Sequence, residues 1–289
     1  MSEFTNFGIQ QQGELCMKKH ISTIILILIF LAGLSLLLYP TVSDWWNSYH
    51  QSNVIVDYEH SVKGLDDKTY KKILSEAKKY NKSLLDRGNR FELSKEEIEA
   101  YDRLLNPLGT GMMGYIEIPG IRLSLPVYHG TSDAVLSMAV GHIAGSSLPV
   151  GGKSTHCVLS GHRGLPSAKI FSNLDKLVED DTFSLHILNE VLTYEVDQIR
   201  IVKPKELSSL SIEKGKDYCT LVTCTPYGIN THRLLVRGHR ISNPLDGEVR
   251  VSSDALQIEP VLVAPIIAAP ILLILLILVF FKSSRKKQS

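Results

Sequence analysis

In the stretch TLVTCTPYGINTHRLLVRG, residues 220–238, a cysteine closes an apolar run. Pro226 and Gly228 mark a turn directly after it, and an arginine stands nine residues on from the cysteine. Turns lie at the surface, so Cys224 is poorly suited to the role of a buried, inert thiol. Its sulfur is a candidate nucleophile. A free thiol has a pKa of about 8.5 and is only a few per cent thiolate at neutral pH, so a histidine or another cation should stand close to it.

The chain has ten histidines, and an isolated histidine is more often structural than catalytic. His162 stands out because it follows a strand-like run inside SGHRG. Gly161 and Gly164 there permit a sharp exit from the strand and expose the side chain. His142 also follows a glycine and is the reserve candidate. His232 falls on the strand face opposite Arg233. If residues 225–231 form the connection, Cys224 ends one strand and Arg233 opens the next, so the two can face each other. Arg237 shares that parity but lies about 13 Å further along. A guanidinium at Arg233 can stabilise the oxyanion formed when a thiolate attacks a carbonyl, and can also hold a substrate backbone. The plainer reading of any one such arginine is a solvated strand residue.

The elements that must position these groups are legible around them. Residues 68–85 place Tyr70, Ile73, Leu74, Ala77, Tyr80 and Leu84 at spacings of three and four, which predicts an amphipathic helix. A second helix is expected over 95–105, with Ser94 and Glu97 as a capping box and Asn106-Pro107 as its stop. After Gly109 short β-rich runs alternate with Gly and Pro, at 115–118, 123–128, 157–160, 182–188, 191–202, 218–224 and 233–241. Seven strands at that spacing predict a closed barrel or a sandwich.

Two apolar runs bracket this region. Residues 21–39 carry no charge, and at about 1.5 Å per residue a helix of that length spans the roughly 30 Å hydrocarbon core. Residues 261–281 form the second run, with Pro265 and Pro270 tolerated as they are in membrane helices. Lys18 and Lys19 precede the first run, and Lys282, Arg285, Lys286 and Lys287 follow the second. Both termini are therefore expected in the cytoplasm, with residues 40–260 outside. A cleaved signal peptide is the competing reading of the first run; its length and the lack of a clean small-x-small site argue against that. Met17 is the natural start of this topogenic segment, so residues 1–16 are expected to be an upstream extension.

The resulting divisions are a cytoplasmic segment 1–20, a span 21–39, an extracellular helical segment 40–110, a β domain 111–250, a linker 251–260, a span 261–281 and a basic tail 282–289. Without the six cations just named and without Glu3 and Glu14, 25 basic and 28 acidic residues remain, a net charge of −3. Such a balance implies no basic patch and no nucleic-acid partner. Of four cysteines, Cys157, Cys219 and Cys224 lie outside the membrane. An odd number cannot all pair within one chain. Cys157 and Cys219 each precede a candidate site residue by five positions. They would be neighbours if their strands run parallel, and two buried free thiols are the expectation.

SGHRG, TLVTCTPYG and INTHRLLVRG, in that order, resemble the histidine, cysteine and arginine motifs of the sortases, the cysteine transpeptidases of Gram-positive surfaces. GYIEIPGI and SSLPVGG extend the resemblance over most of residues 110–240. The TCTPYGINTHR form and the C-terminal span are similar to class C, the pilus-assembling branch. The resemblance implies an eight-stranded β-barrel; with the helices and apolar runs read above, the expected fold is mainly β, with N-terminal helices and two flanking transmembrane helices. It also implies Cys224 as nucleophile, His162 as general acid and base, and Arg233 as oxyanion and substrate stabiliser, with no metal or cofactor.

The implied reaction cleaves an LPXTG-like sorting signal between Thr and Gly and transfers the acyl group to a lysine of a pilin subunit. The expected site of action is the cell membrane, with the catalytic domain outside. An anchoring enzyme that uses a peptidoglycan amine, a peptidase that hydrolyses the thioester and a non-catalytic peptide-binding barrel are the alternatives. Class C enzymes usually carry a lid with an Asp-Pro-aromatic motif, and no Asp-Pro pair occurs here. The nearest substitute is DRGNRF, where Asp86 would reach Arg233 and Phe91 would cover Cys224. The lid is expected to be loose or absent.

Overall fold

The computed structural model describes residues 3–164 and 169–243, with the side chains of residues 1–23 and 45 left aside. The expected linker 251–260, the span 261–281, the basic tail and the end of the β domain beyond residue 243 lie outside the described residues.

The described residues divide into two units, with the boundary between Ser43 and Asp44. Helix α1, Glu3–Lys63, contributes to both. Its described residues from Ile24 are long and apolar enough to cross a membrane, and Leu36 is 78% exposed. Within the expected helical segment 40–110, the sequence assigns no particular helix before residue 68. The continuation to Lys63 has its own stripe, because Ile55, Tyr58 and Val62 are spaced by three and four and all are buried. Polar neighbours mask that stripe in the sequence, and Gly64 ends the helix.

Helix α2, Asp67–Ser83, starts at Asp66, whose carboxylate accepts from the backbone of Lys68 and Thr69 at 2.9 Å each. Helix α3, Lys95–Asp102, carries the expected Ser94–Glu97 capping box. It stops earlier than expected because Leu105 takes a left-handed conformation and is buried. These helices are joined to the barrel by specific polar contacts. The Asn81 amide donates to the Leu148 carbonyl at 3.0 Å and accepts from the Leu148 N–H at 2.7 Å, imitating a backbone pair. Asn81→Ala would strand both backbone groups, at about 1–3 kcal/mol for each group left buried and unpaired. Tyr58 donates to the Met113 carbonyl and accepts from the Leu188 N–H, at 2.8 Å each, and burial pushes its pKa up to about 12.

The β domain is a closed eight-stranded barrel in the order β1-β2-β3-β4-β7-β8-β6-β5. Its strands are β1 Met112–Ile118, β2 Leu123–His129, β3 Val140–His142, β4 Thr155–Ser160, β5 Thr182–Ile187, β6 Glu190–Val202, β7 Asp217–Thr225 and β8 His232–Arg240. The seven expected strands are present. The eighth, β3, is three residues long and too short for a periodicity to register. Short helix α4, Asp133–Leu136, leads into it. The pairs β2–β3 and β4–β7 are parallel and the other ladders antiparallel.

Alternation along β4, β7 and β8 separates two faces. Cys157, Leu159, Cys219, Leu221, Leu234 and Val236 join the main core with Phe183 and Tyr194. Val158, Val222 and Leu235 point the other way and form a second, smaller cluster with Val202 and Leu210.

Candidate active site

Cys224 is the penultimate residue of β7 and Arg233 the second residue of β8, and the two are directly paired across the antiparallel ladder. Both side chains are half-buried and share the outward face with Val222 and Leu235. The turn between them is tight: Ile229 N–H and Asn230 N–H both donate to the Pro226 carbonyl, at 3.1 and 3.0 Å. The Arg233 guanidinium donates through Nη1 to the carbonyls of Asn230 at 3.1 Å and His232 at 3.0 Å, so the turn itself fixes its direction.

His162 enters from β4. That strand ends at Ser160 and runs parallel to β7, with Ser160 opposite Val222. Beyond the ladder, Gly161 N–H donates to the Val222 carbonyl at 3.0 Å, and Thr223 Oγ1 donates to the Gly161 carbonyl at 2.8 Å. The residue before His162 is therefore bonded to the two residues before Cys224. This carries the backbone of His162 to the rim of the barrel that Cys224 and Arg233 occupy. Only glycine fits at 161, because an added Cβ would fall 2.6 Å from the Phe171 ring and 2.9 Å from Ile170. The His162 carbonyl then accepts from Phe171 N–H at 3.0 Å, which returns the loop to the barrel.

The reserve histidine is elsewhere. His142 lies in β3 and is fully buried. Its Nε2 is 2.9 Å from the Ser147 carbonyl, which can only accept, so Nε2 carries the proton and Nδ1 faces the Tyr101 hydroxyl at 2.7 Å. This histidine joins α3 to the barrel. It has no route to the rim.

The loop between α2 and α3 divides in its behaviour. Phe91 packs against the outer cluster of Val158, Val202, Leu210, Val222 and Leu235. Val222 and Leu235 are two residues below Cys224 and Arg233 on their strands, about 6.6 Å along. Arg90 is buried beside Phe91, with its guanidinium 4.7 Å from the ring centroid and a short hydrogen bond to the Leu210 carbonyl. Burial holds its pKa below the usual arginine range. Asp86 is exposed and forms no ion pair with Arg233.

Sequence reading passed over a contact that joins the two turns of the rim. Arg163 forms a short ion pair with Asp175, on the 3₁₀ turn Leu174–Lys176, and its guanidinium stands 5.8 Å from the centroid of Tyr227 in the β7–β8 turn. No spacing rule links those three positions. Among the described residues no group of three or more His, Cys, Asp or Glu is arranged to hold a metal ion.

A sortase-domain family model matches residues 116–241. The chain is 30% identical over 132 residues to Sortase D of Bacillus subtilis (strain 168), covering 45% of this chain, and it spans 64% of that relative's length. Among solved structures it is similar to sortase C1 of Streptococcus agalactiae at 56% identity, with a TM-score of 0.65, covering 66% of this chain and all of that one. The sortase C of Streptococcus pneumoniae, whose structure bears on pilin substrate specificity, is 42% identical with a TM-score of 0.59, covering 67% of this chain and 100% of that chain.

Proposed function

We propose that this chain, which belongs to the sortase family of cysteine transpeptidases, cleaves an LPXTG-like sorting signal between Thr and Gly and transfers the acyl part to a lysine of a pilin subunit. The observation that carries this reading is the direct pairing of Cys224 with Arg233, with Gly161 bonded to Val222 and Thr223 beside them. One rim thus gathers a thiol, an imidazole and a guanidinium from three strand ends.

Each group has one task. The Cys224 thiolate attacks the threonine carbonyl carbon, and the carbonyl oxygen takes the electron pair as an oxyanion. Arg233, fixed by the carbonyls of its own turn, stabilises that charge and holds the substrate backbone. As the intermediate collapses, the Thr–Gly bond breaks, His162 gives its proton to the departing glycine amine, and a Cys224 thioester remains. The lysine amine then attacks the thioester, His162 takes the proton it loses, and the thiolate leaves. An isopeptide bond has replaced a peptide bond. No metal or organic cofactor enters the cycle.

The class C neighbours support pilin subunits as both acyl donor and acceptor. The apolar part of α1 supports a membrane-held enzyme, and Lys18 and Lys19 before it support a barrel outside the cell. Holding enzyme and membrane-borne substrates on one surface raises their effective concentration and favours aminolysis over loss of the thioester to water. Arg90 and Phe91 anchor the loop between α2 and α3 on the lower part of the outer face, and Asp86 makes no ion pair with Arg233, which supports a site that no acidic side chain of the loop plugs. Mass spectrometry after incubation with an LPXTG peptide tests the proposal: the expected adduct is the Leu-Pro-x-Thr acyl group on Cys224, with none on Cys224→Ala. A folded, alkylatable enzyme that neither forms the adduct nor cleaves the peptide would overturn it.

A further inference from the structure

We infer that Arg163 is a positioning residue that sets the place of His162 relative to Cys224 by tying the two rim turns together. This rests on the assignment of His162 and Cys224 given above. Arg163 adjoins His162 in the chain, and its side chain is only 10% exposed although it carries a permanent charge. Its Asp175 partner, at 44%, is much more open. Surface ion pairs contribute about 0–1 kcal/mol. This one shuts a guanidinium away from water with Nε lacking any hydrogen-bond partner among the described residues, an arrangement that costs stability. What the arrangement supplies is geometry.

The other side of the guanidinium meets Tyr227, three residues past Cys224. Gly164 backs onto the same ring: at its φ of +82°, an added Cβ would fall 3.0 Å from the ring edge. The Gly164 N–H is held by Ser172 Oγ at 3.3 Å. Arg163 and Gly164 together dock the loop that carries His162 onto the turn that follows Cys224. The backbone bonds at Gly161 fix the height of that loop along the barrel. The Arg163–Tyr227 cation–π contact fixes its lateral distance from Cys224. Tyr227 is 63% exposed, so its loss removes that contact while taking little from the core.

The test measures kcat and KM for acyl transfer on the full chain, with an LPXTG peptide and an amine acceptor, for Arg163→Gln, Arg163→Lys and Tyr227→Ala. Misplacing a catalytic group by about 1 Å costs up to about a hundredfold. Arg163→Gln is expected to lower kcat by about tenfold to a hundredfold with KM held within about twofold. A lowered kcat with a preserved KM is the split that a merely structural role would not produce. Arg163→Lys should recover part of the loss, and Tyr227→Ala should reproduce part of it at an unchanged melting temperature. Wild-type kcat in Arg163→Gln, with Cys224→Ala silent, would overturn the inference and leave the active-site assignment standing. An adduct on Cys224→Ala would overturn the assignment itself. If Arg163→Gln melts early, the other two variants decide, and wild-type kinetics in both overturns the inference.

Discussion

Cys219 and Cys224 lie on the same strand, five residues apart, and share nothing else. Cys219 points into the barrel, is fully buried and sits directly opposite Cys157 of β4. Both thiols are free. Burial, with Cys157 next in effect, pushes the Cys219 thiol well above its usual range and keeps it neutral. Cys224 points outward at the rim, half-buried, opposite an arginine. An odd separation on a strand reverses the face. The difference teaches that the setting belongs to the rung and not to the residue type: one thiol has a cation across the ladder and, in the proposed site, a glycine-held histidine beside it, while closure on every side makes the other a packing group.

The contrast can be broken most sharply at Cys224 itself. Cys224→Ala is expected to abolish thioester formation and lower turnover by about a thousandfold or more, read by mass spectrometry and peptide cleavage, with melting unchanged. An acid titration of stability ranks next. His156 on β4 is 1% exposed, donates from Nδ1 to the Ser211 carbonyl at 2.8 Å, and accepts at Nε2 from the Thr220 hydroxyl at 2.7 Å. Burial lowers its pKa from 6.5 to about 4. Because the folded state resists protonation, this stability is complete above the unfolded value near 6.5 and is lost as pH falls toward 4. The loss is of order 3 kcal/mol. Urea midpoints at pH 7 and pH 4.5 should separate accordingly, and less so in His156→Asn.

Arg233→Gln sharpens the comparison from the other strand. Removing one oxyanion donor costs about 10²–10³ in kcat, so a fall of about a hundredfold in acyl transfer is expected with the barrel intact. The smallest effect belongs to Cys219→Ala, which should cost about 1–2 kcal/mol of stability and leave turnover unaltered. In the native protein a small alkylating agent should label Cys224 alone, with Cys157 and Cys219 labelled only after denaturation. Labelling of Cys219 at the rate of Cys224 would erase the distinction.

How much of this was legible in the sequence varied with range. The pairing of Cys224 with Arg233 follows from the length of the turn and strand parity, both local. The parallel neighbourhood of Cys157 and Cys219 follows from equal offsets to His162 and Cys224, given parallel strands, and the β4–β7 register bears it out. Strand β3 escaped because three residues carry no period, and with it went the environment of His142, the reserve candidate, which is fully buried. The second half of α1 escaped because Ile55, Tyr58 and Val62 stand among polar residues. Arg163 escaped for a different reason: Asp175 and Tyr227 reach it only once the barrel has closed.

The parallel β4–β7 pair also bears on how the enzyme comes into being. Parallel neighbours require a long crossover, and here the chain builds β5 and β6 between Ser160 and Asp217 before returning to β4. Contacts so distant along the chain form slowly, because loop closure precedes any gain from pairing. The contact of Gly161 with Val222 belongs to this class. In the proposed mechanism, Cys224 therefore gains its histidine only when a long-range contact closes.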